Sequence, residues 1–348
     1  MTTPDRQAGW HWPHFEQPLC GAVSDRQRLG LPERFQPTRF ESEWPAAVER
    51  LRYSSRETWL NALQDTRCPL LERLVAGRLL ALSGDPRIRT DQPDMVTIAG
   101  AVTRIGLPAE EVEDVLSRFG GLGLQTHWIV KECPRHEVRL NAYALARFPV
   151  TNAEYRDFLV DSGYEEIPTS WVFGRYPHER ANHPVYTVSP LAAQAYADWL
   201  SGRTGRRFRL PTEAEWEFAA AGPEGLEFPW GDAYEADCAN TAETGLFDSS
   251  PVGAFPTGIS PFGIADMAGN VEEFVADRYA PYPGGQAITD HLTEIHGTYQ
   301  VARGGSFARF RDLARTRRRH GHNPRSATYA MGFRLAEDVS PLAAPSGD

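Results

Sequence analysis

The chain has little cysteine. Its 348 residues contain four, at Cys20, Cys68, Cys133 and Cys238, and no two of them have the CxxC spacing. Scattered single cysteines argue against a disulfide framework or a zinc knuckle, and they are typical of a reducing compartment. We therefore interpret the four as small buried apolar residues. A cytoplasmic location fits this pattern best.

The chain also lacks a long apolar run and an excess of positive charge. No stretch reaches the length of about 18 apolar residues that a membrane helix needs, and residues 1–10 have no basic segment followed by an apolar one. The formal net charge is −10. Nucleic-acid binding depends on a positive surface. We expect no membrane partner and no nucleic-acid partner.

The pattern of predicted secondary structure changes near residue 94. Residues 1–93 are predicted to form a short, mostly helical region, with helices over 44–63 and 70–82, the second ending at Ser83-Gly84-Asp85-Pro86. Residues 94–338 combine short strands with long connections rich in Gly and Pro. Residues 339–348 are expected to form a flexible tail.

Several elements of the second region are marked by local signals. Strands are predicted over 95–100 and 138–143. Thr151 to Glu154 and Thr212 to Glu215 each have the spacing of a capping box, and Ser189 precedes a proline at the first position of a helix. These signals predict helices over 151–159, 191–200 and 212–221.

Seven short motifs occur in order along this region: Phe148-Pro-Val-Thr-Asn-Ala-Glu-Tyr155, His183-Pro-Val, Arg209-Leu-Pro-Thr-Glu-Ala-Glu-Trp-Glu-Phe218, Pro229-Trp-Gly-Asp232, Asp266-Met-Ala-Gly-Asn270, Arg303-Gly-Gly-Ser306 and Gly332-Phe-Arg334. Together they resemble the formylglycine-generating, or sulfatase-modifying factor, family, which shares its domain with ergothioneine-pathway sulfoxide synthases. The resemblance covers residues 94–338. It implies an α+β, C-type-lectin-like fold with much irregular structure.

Most motif residues are interpreted as structural. Trp216, Phe218 and Trp230 are expected to be core anchors, and His183 a hydrogen-bonded core residue. The three glutamates of the Arg209 motif lie in the first turns of a helix, where capping and the helix dipole explain them: Glu213, Glu215 and Glu217. Gly269, Gly304 and Gly305 are expected to serve positive φ angles or close backbone approach.

The resemblance also implies structural calcium. In the family loop that matches residues 266–273, Asp266 and Glu273 would supply carboxylates, and Gly269 and Val271 would supply carbonyl oxygens. Calcium takes six to eight such hard oxygen ligands. This sequence differs by having Glu272 and Phe274 where the family usually has Trp. A second, weaker site would use Asn240, with Asp248 a less certain contributor.

The catalytic residues of the family are missing. Formylglycine generators bind copper(I) through a C-x4-C pair shortly after the Arg-Gly-Gly-Ser motif, where this chain has Arg309 and Ala314. No cysteine follows Cys238, and copper(I) needs soft ligands, so formylglycine generation is not expected. The H-x3-H-x-H pattern of the iron-dependent branch is also absent from residues 1–93.

The segment around these positions is rich in arginine and holds two histidines. His320 and His322 are our candidate catalytic residues, as ligands of iron or copper; substrate contact and a solvated loop are the alternatives. The planar guanidinium group suits a carboxylate or phosphate, although a solvated charged face would also explain the arginines. The predicted substrate contacts are Arg309, Arg311, Arg315, Arg318, Arg319 and Asn323.

Two main functions remain open from the sequence. The first is a metal-dependent oxidase or oxygenase that acts on an amino-acid, peptide or related metabolite; the arginines favour an anionic substrate. The second is a non-catalytic module that binds a ligand or a protein on a lectin-like scaffold. A third possibility is a displayed protein whose residues 303–334 vary between copies.

Overall fold

A computed structural model describes residues 34–35, 37–321 and 330–339. Its first elements are three helices, α1 (Trp44–Leu51), α2 (Arg56–Gln64) and α3 (Leu70–Ser83). The predicted single helix over 44–63 is wrong, because Ser55 caps a new helix by accepting a hydrogen bond from the Thr58 N–H. The α3 helix ends at Gly84, as predicted.

In the described part of the domain that follows, the strands form three sheets. Strands β1 (Met95–Ile98), β4 (Tyr143–Ala146), β5 (Phe208–Arg209) and β10 (Ala336–Asp338) form an antiparallel sheet in the order β1-β4-β10-β5. Strands β2 (Ala101–Ile105) and β3 (His136–Leu140) form a separate ladder. The predicted strand over 138–143 is therefore two strands, which belong to different sheets.

The third sheet contains Glu272, Arg303 and His320, which belong to the candidate site. It contains β6 (Glu272–Arg278), β7 (Gln300–Arg303), β8 (His320–Gly321) and β9 (Met331–Phe333) in the order β8-β7-β6-β9. The β6–β9 pair is parallel and the other two are antiparallel. This order brings segments far apart in the sequence to one surface.

Six helices complete the described domain: α4 (Val112–Phe119), α5 (Thr126–Val130), α6 (Asn152–Ser162), α7 (Pro190–Thr204), α8 (Glu213–Ala221) and α9 (His291–His296). The capping boxes at Thr151 and Thr212 and the cap at Ser189 are confirmed. Helix α4 was not predicted from the sequence; its Val112, Val115 and Phe119 belong to a buried cluster.

The core confirms most of the predicted anchors. Trp216 and Phe218 are buried in one cluster, whereas Trp230 is only half-buried against another. Cys133 and Cys238 are buried, Cys68 is half-buried, and all three are unpaired; Cys20 lies outside the described residues. None of the described helices has the length and apolar character that crossing a bilayer requires.

Candidate functional site

A segment between β7 and β8, here called the arginine segment (residues 303–321), forms one side of the site. It starts at two glycines with φ angles of +94° for Gly304 and +68° for Gly305. A Cβ on Gly305 would lie 2.9 Å from the Leu313 carbonyl carbon, so the chain folds back on itself there. The prediction of positive φ is confirmed for both residues and for Gly269, at +74°.

Arg315 lies at the centre of the segment and is fully buried. Its Nη2 is 3.0 Å from Oε2 of Glu132, and its Nε pairs with Glu227. Both glutamates are also buried. Burial of these charges is tolerated because each has an opposite charge in contact. Arg315 therefore holds the segment against distant parts of the domain.

The guanidinium groups of Arg319 and Arg318 are also bound to other groups of the protein. The Nε and Nη2 atoms of Arg319 donate to the two carboxylate oxygens of Glu213 at 2.8 and 2.9 Å. Arg318 donates to the carbonyl of Trp128 at 3.3 Å and to that of Arg319 at 2.8 Å. Both side chains are buried. The structure thus does not favour the expected substrate contact for these two residues or for Arg315.

The glutamates of helix α8 have different roles. Glu215 completes the capping box, as predicted. Glu213 and Glu217 instead pair with Arg303, which is fully buried, and Glu217 also accepts the Gly106 N–H at 2.7 Å. Helix capping is therefore the wrong explanation for Glu213 and Glu217. They neutralise arginines that the sequence places about 90 residues away.

His320 and Glu272 form a hydrogen-bonded pair across the third sheet. Nδ1 of His320 is 2.5 Å from Oε2 of Glu272. Glu272 is buried, whereas 22% of the His320 side chain is exposed. Burial lowers the pKa of His320 more than the neighbouring carboxylate raises it. A neutral ring that donates from Nδ1 leaves Nε2 with a lone pair for a metal or a proton.

Two arginines of the segment keep part of their side chains exposed, and one of them contacts Glu272. Nε of Arg309 lies 3.4 Å from Oε1 of Glu272, and Nη1 of Arg311 lies 3.2 Å from Oε1 of Glu243. Their side chains are 21% and 34% exposed. Arg309, at the position of the family's first cysteine, therefore contacts the Glu272–His320 pair. Ala314, at the second position, is buried.

Asp312 lies between those two positions and was not singled out from the sequence. Burial raises its pKa to about 6, although the guanidinium groups of Arg318 and Arg315 lower it. Its carboxylate is 3.9 Å from Nε of Arg318. A carboxyl group that titrates near neutral pH can exchange protons with bound molecules.

The predicted calcium residues are only partly brought together. The Asn270 N–H donates to the carbonyl of Asn240 at 2.7 Å, and a Cβ on Gly269 would lie 2.5 Å from that oxygen. The carboxylate of Glu273, however, accepts from Nε and Nη2 of Arg334 at 2.6 Å each. Arg334 thus neutralises the charge that calcium would use.

The other predicted carboxylate of that loop has a protein partner as well. Asp266 accepts the Gly253 N–H at 2.7 Å, and burial raises its pKa to about 6. Val271, five residues further on, is buried. Across residues 34–35, 37–321 and 330–339, no three His, Cys, Asp or Glu side chains are grouped as a metal site would require.

The remaining predicted site residues have different outcomes. His322 and Asn323 lie outside the described residues. His183 is confirmed as a hydrogen-bonded core residue, with Nδ1 2.9 Å from Oγ of Ser249. Glu272 was noted only as a departure from the family. Its partner is 48 residues away, so the role of the departure becomes visible only in the fold.

Comparison with known proteins identifies the family. The sulfatase-modifying factor enzyme 1-like domain matches residues 83–339. A hercynine oxygenase of Mycolicibacterium smegmatis is 31% identical over 254 residues, which cover 62% of this chain and 57% of that relative. The inactive Cα-formylglycine-generating enzyme 2 of Bos taurus is 30% identical over 256 residues, covering 59% and 80%.

A solved structure supports the fold. PvdO from Pseudomonas aeruginosa is similar with a TM-score of 0.55 and 27% sequence identity, over 72% of this chain and 95% of that one. The chain spans little more than half the length of the hercynine oxygenase. It belongs to the sulfatase-modifying factor family and has that family's α+β, C-type-lectin-like fold.

Proposed function

We propose that this family member is a metal-dependent oxidase or oxygenase acting on an amino-acid, peptide or related metabolite, and not a formylglycine generator. The Glu272–His320 pair carries the proposal, because it lies in contact with Arg309, where formylglycine generators have a catalytic cysteine. The similarity to a hercynine oxygenase supports the same reaction class. The net charge of −10 favours a small substrate over nucleic acid.

The metal would be iron or copper held by imidazoles. His320 fits such a role, since a ligating histidine commonly donates its other ring N–H to a carboxylate. His322, two residues on, is the proposed second ligand. Thiolate ligation has no support, because no cysteine follows Cys238. When bound, the metal would supply activation of oxygen.

The remaining residues bind and orient the substrate. Glu272 fixes the tautomer of His320, and burial keeps the ring neutral. Arg309 and Arg311 retain exposed surface and are the proposed partners of a substrate carboxylate, together with Asn323. Arg315, Arg318 and Arg319 keep the segment in place through their buried ion pairs and carbonyl contacts.

We also propose a structural calcium ion at the loop of Asp266, Gly269, Val271 and Glu273, with Asn240 nearby. Among the described residues, Oδ1 of Asn240 is buried without a hydrogen-bond partner. Such an oxygen is a suitable ligand for a hard cation. The Glu273–Arg334 pair argues for a weak site. A cytoplasmic location is supported by the unpaired state of Cys68, Cys133 and Cys238.

Metal analysis of protein purified without chelator tests the proposal. Stoichiometric iron or copper should be present, and a His320→Ala, His322→Ala double variant should lose it. The exposed His178 provides a control, since His178→Ala should keep the metal. Oxygen consumption should then be measured with amino acids, their betaines such as hercynine, and short peptides. Calcium as the sole metal would contradict the redox proposal.

A binding module is the second candidate function. It is favoured by the similarity to a relative that is itself called inactive, at 30% identity. In that case ligands would bind at Arg309 and Arg311 without redox metal. A metabolite retained by metal-free protein, with affinity lost in Arg311→Gln, would identify this function.

A further inference from the structure

A cavity lies between the N-terminal helices and the domain, and neither Glu272 nor His320 lines it. Its volume is about 390 Å³, within the range of roughly 300–1,000 Å³ that small-molecule sites occupy. One side comes from residues 38–45 and from α3, and the other from residues 179–183 and 246–251. No residue of the arginine segment lines it.

Several of the residues that line the cavity are apolar. Phe40, Trp44 and Leu74 contribute from the N-terminal side, and Leu246 and Pro251 from the domain. Two aromatic rings and three aliphatic side chains provide a surface for the body of a small organic molecule.

The N-terminal wall is fixed to the domain. The Arg39 N–H donates to the carbonyl of Gly245 at 3.0 Å, and Arg39 pairs with Asp237 at 2.5 Å. Phe40 has a φ angle of 69°, a left-handed conformation that a bulky residue keeps only where surrounding contacts enforce it. The wall is therefore held in shape rather than loosely apposed.

Two buried polar residues also line the cavity. His183 and Ser249 line it and are hydrogen-bonded to each other. Burial, with the positive fields of Arg180 and Arg78, lowers the pKa of His183 to about 3. The imidazole is thus neutral at physiological pH. It offers a neutral hydrogen-bonding group and not a charge.

Arg78 is the cation available for a ligand. The other nearby guanidinium, that of Arg180, lies 2.7 Å from Oδ2 of Asp248. Within the described part of the chain, Arg78 has no ion pair within 4 Å; its guanidinium lies 5.9 Å from the centre of the Trp44 ring, and its charge also acts on the Asp248 carboxylate, which Arg180 already pairs. An arginine beside an aromatic wall is suited to hold a carboxylate while the ring takes the apolar part.

We propose that this cavity binds a small carboxylate with an aromatic or aliphatic body. Arg78 pairs with the carboxylate, Phe40, Trp44 and Leu74 contact the body, and the hydrogen-bonded His183 and Ser249 receive a polar substituent. This site is separate from the proposed redox site and goes beyond the proposed function. A cavity between two parts of a chain also allows its ligand to stabilise their contact.

Calorimetric titration with a defined panel tests the proposal. The probes are phenylacetate, indole-3-acetate and hexanoate, with phenylacetamide as the uncharged analogue. Saturable binding of at least one carboxylate is expected. Phenylacetamide should bind about tenfold or more weakly than phenylacetate if phenylacetate is the ligand, since the charge-assisted hydrogen bond is lost.

Three variants locate the site. Arg78→Gln should weaken carboxylate binding about tenfold or more, and Leu246→Trp, which fills the cavity, should abolish it. Arg67→Gln, at an exposed residue outside the cavity, should bind as the wild type does. Thermal unfolding checks that each variant is folded.

Three results would overturn the proposal. They are the lack of saturable binding for every probe, equal binding of the amide, or unchanged affinity in a folded Arg78→Gln variant. None of these depends on metal content at His320, so the proposal and the redox function fail independently.

Discussion

Replacing Arg315 by glutamine distinguishes a structural arginine from a ligand-binding one. Arg315 is fully buried and contacts Glu132 and Glu227, which are also buried. Its loss leaves two carboxylates without their main partner. Breaking a buried pair in this way costs about 3–5 kcal/mol, whereas loss of the half-exposed Arg311–Glu243 pair costs under about 1 kcal/mol.

The free energy of unfolding is measured by urea denaturation followed by tryptophan fluorescence and circular dichroism. Arg315→Gln should lower it by the larger amount and Arg311→Gln by the smaller. Adding Glu132→Gln to Arg315→Gln should recover part of the loss, because one uncompensated charge is removed. The structural assignment of Arg315 is refuted if the two single variants have equal stability.

Further predictions concern Asp312 and Gly305. Burial raises the pKa of Asp312 to about 6, so the folded state binds more protons than the unfolded state between about pH 4 and pH 6. The free energy of unfolding therefore falls as pH rises through this window. Asp312→Asn should stabilise the protein at pH 7 by up to about 3 kcal/mol and have little effect below pH 4. An equal effect at both pH values in urea denaturation would contradict this. Gly305→Ala should cost more than about 1 kcal/mol, since φ is +68° and the added Cβ meets the Leu313 backbone. Gly202→Ala, where a Cβ meets nothing within 4 Å, should be neutral or stabilising. Thermal unfolding measures both glycine variants, and equal destabilisation of the two would contradict this reasoning.

The elements predicted from the sequence are those set by local chemistry. The caps at Thr151, Ser189 and Thr212 depend on partners three residues away, so the pattern alone identifies them. The family motifs predicted the fold, and the departures at Glu272 and Arg309 indicated where this chain differs. The break before α2 and the helix α4 were missed, because short helices leave a weak periodic signal.

The roles of the charged residues were decided by the tertiary structure. Glu213 meets Arg319 across 106 residues and Arg315 meets Glu132 across 183, so no local rule pairs them. Whether an arginine is available to a ligand depends on whether its charge is already neutralised, and that depends on burial and long-range contacts.

The sequence by itself determined the family, the fold class and the absence of the catalytic cysteines. These follow from motif order and residue type. The tertiary structure decided that Glu272 meets His320, that three of the candidate arginines are structural, and that a cavity lies beside Arg78. A hydrogen bond or an ion pair needs two groups within a few ångströms, and only folding brings such groups together.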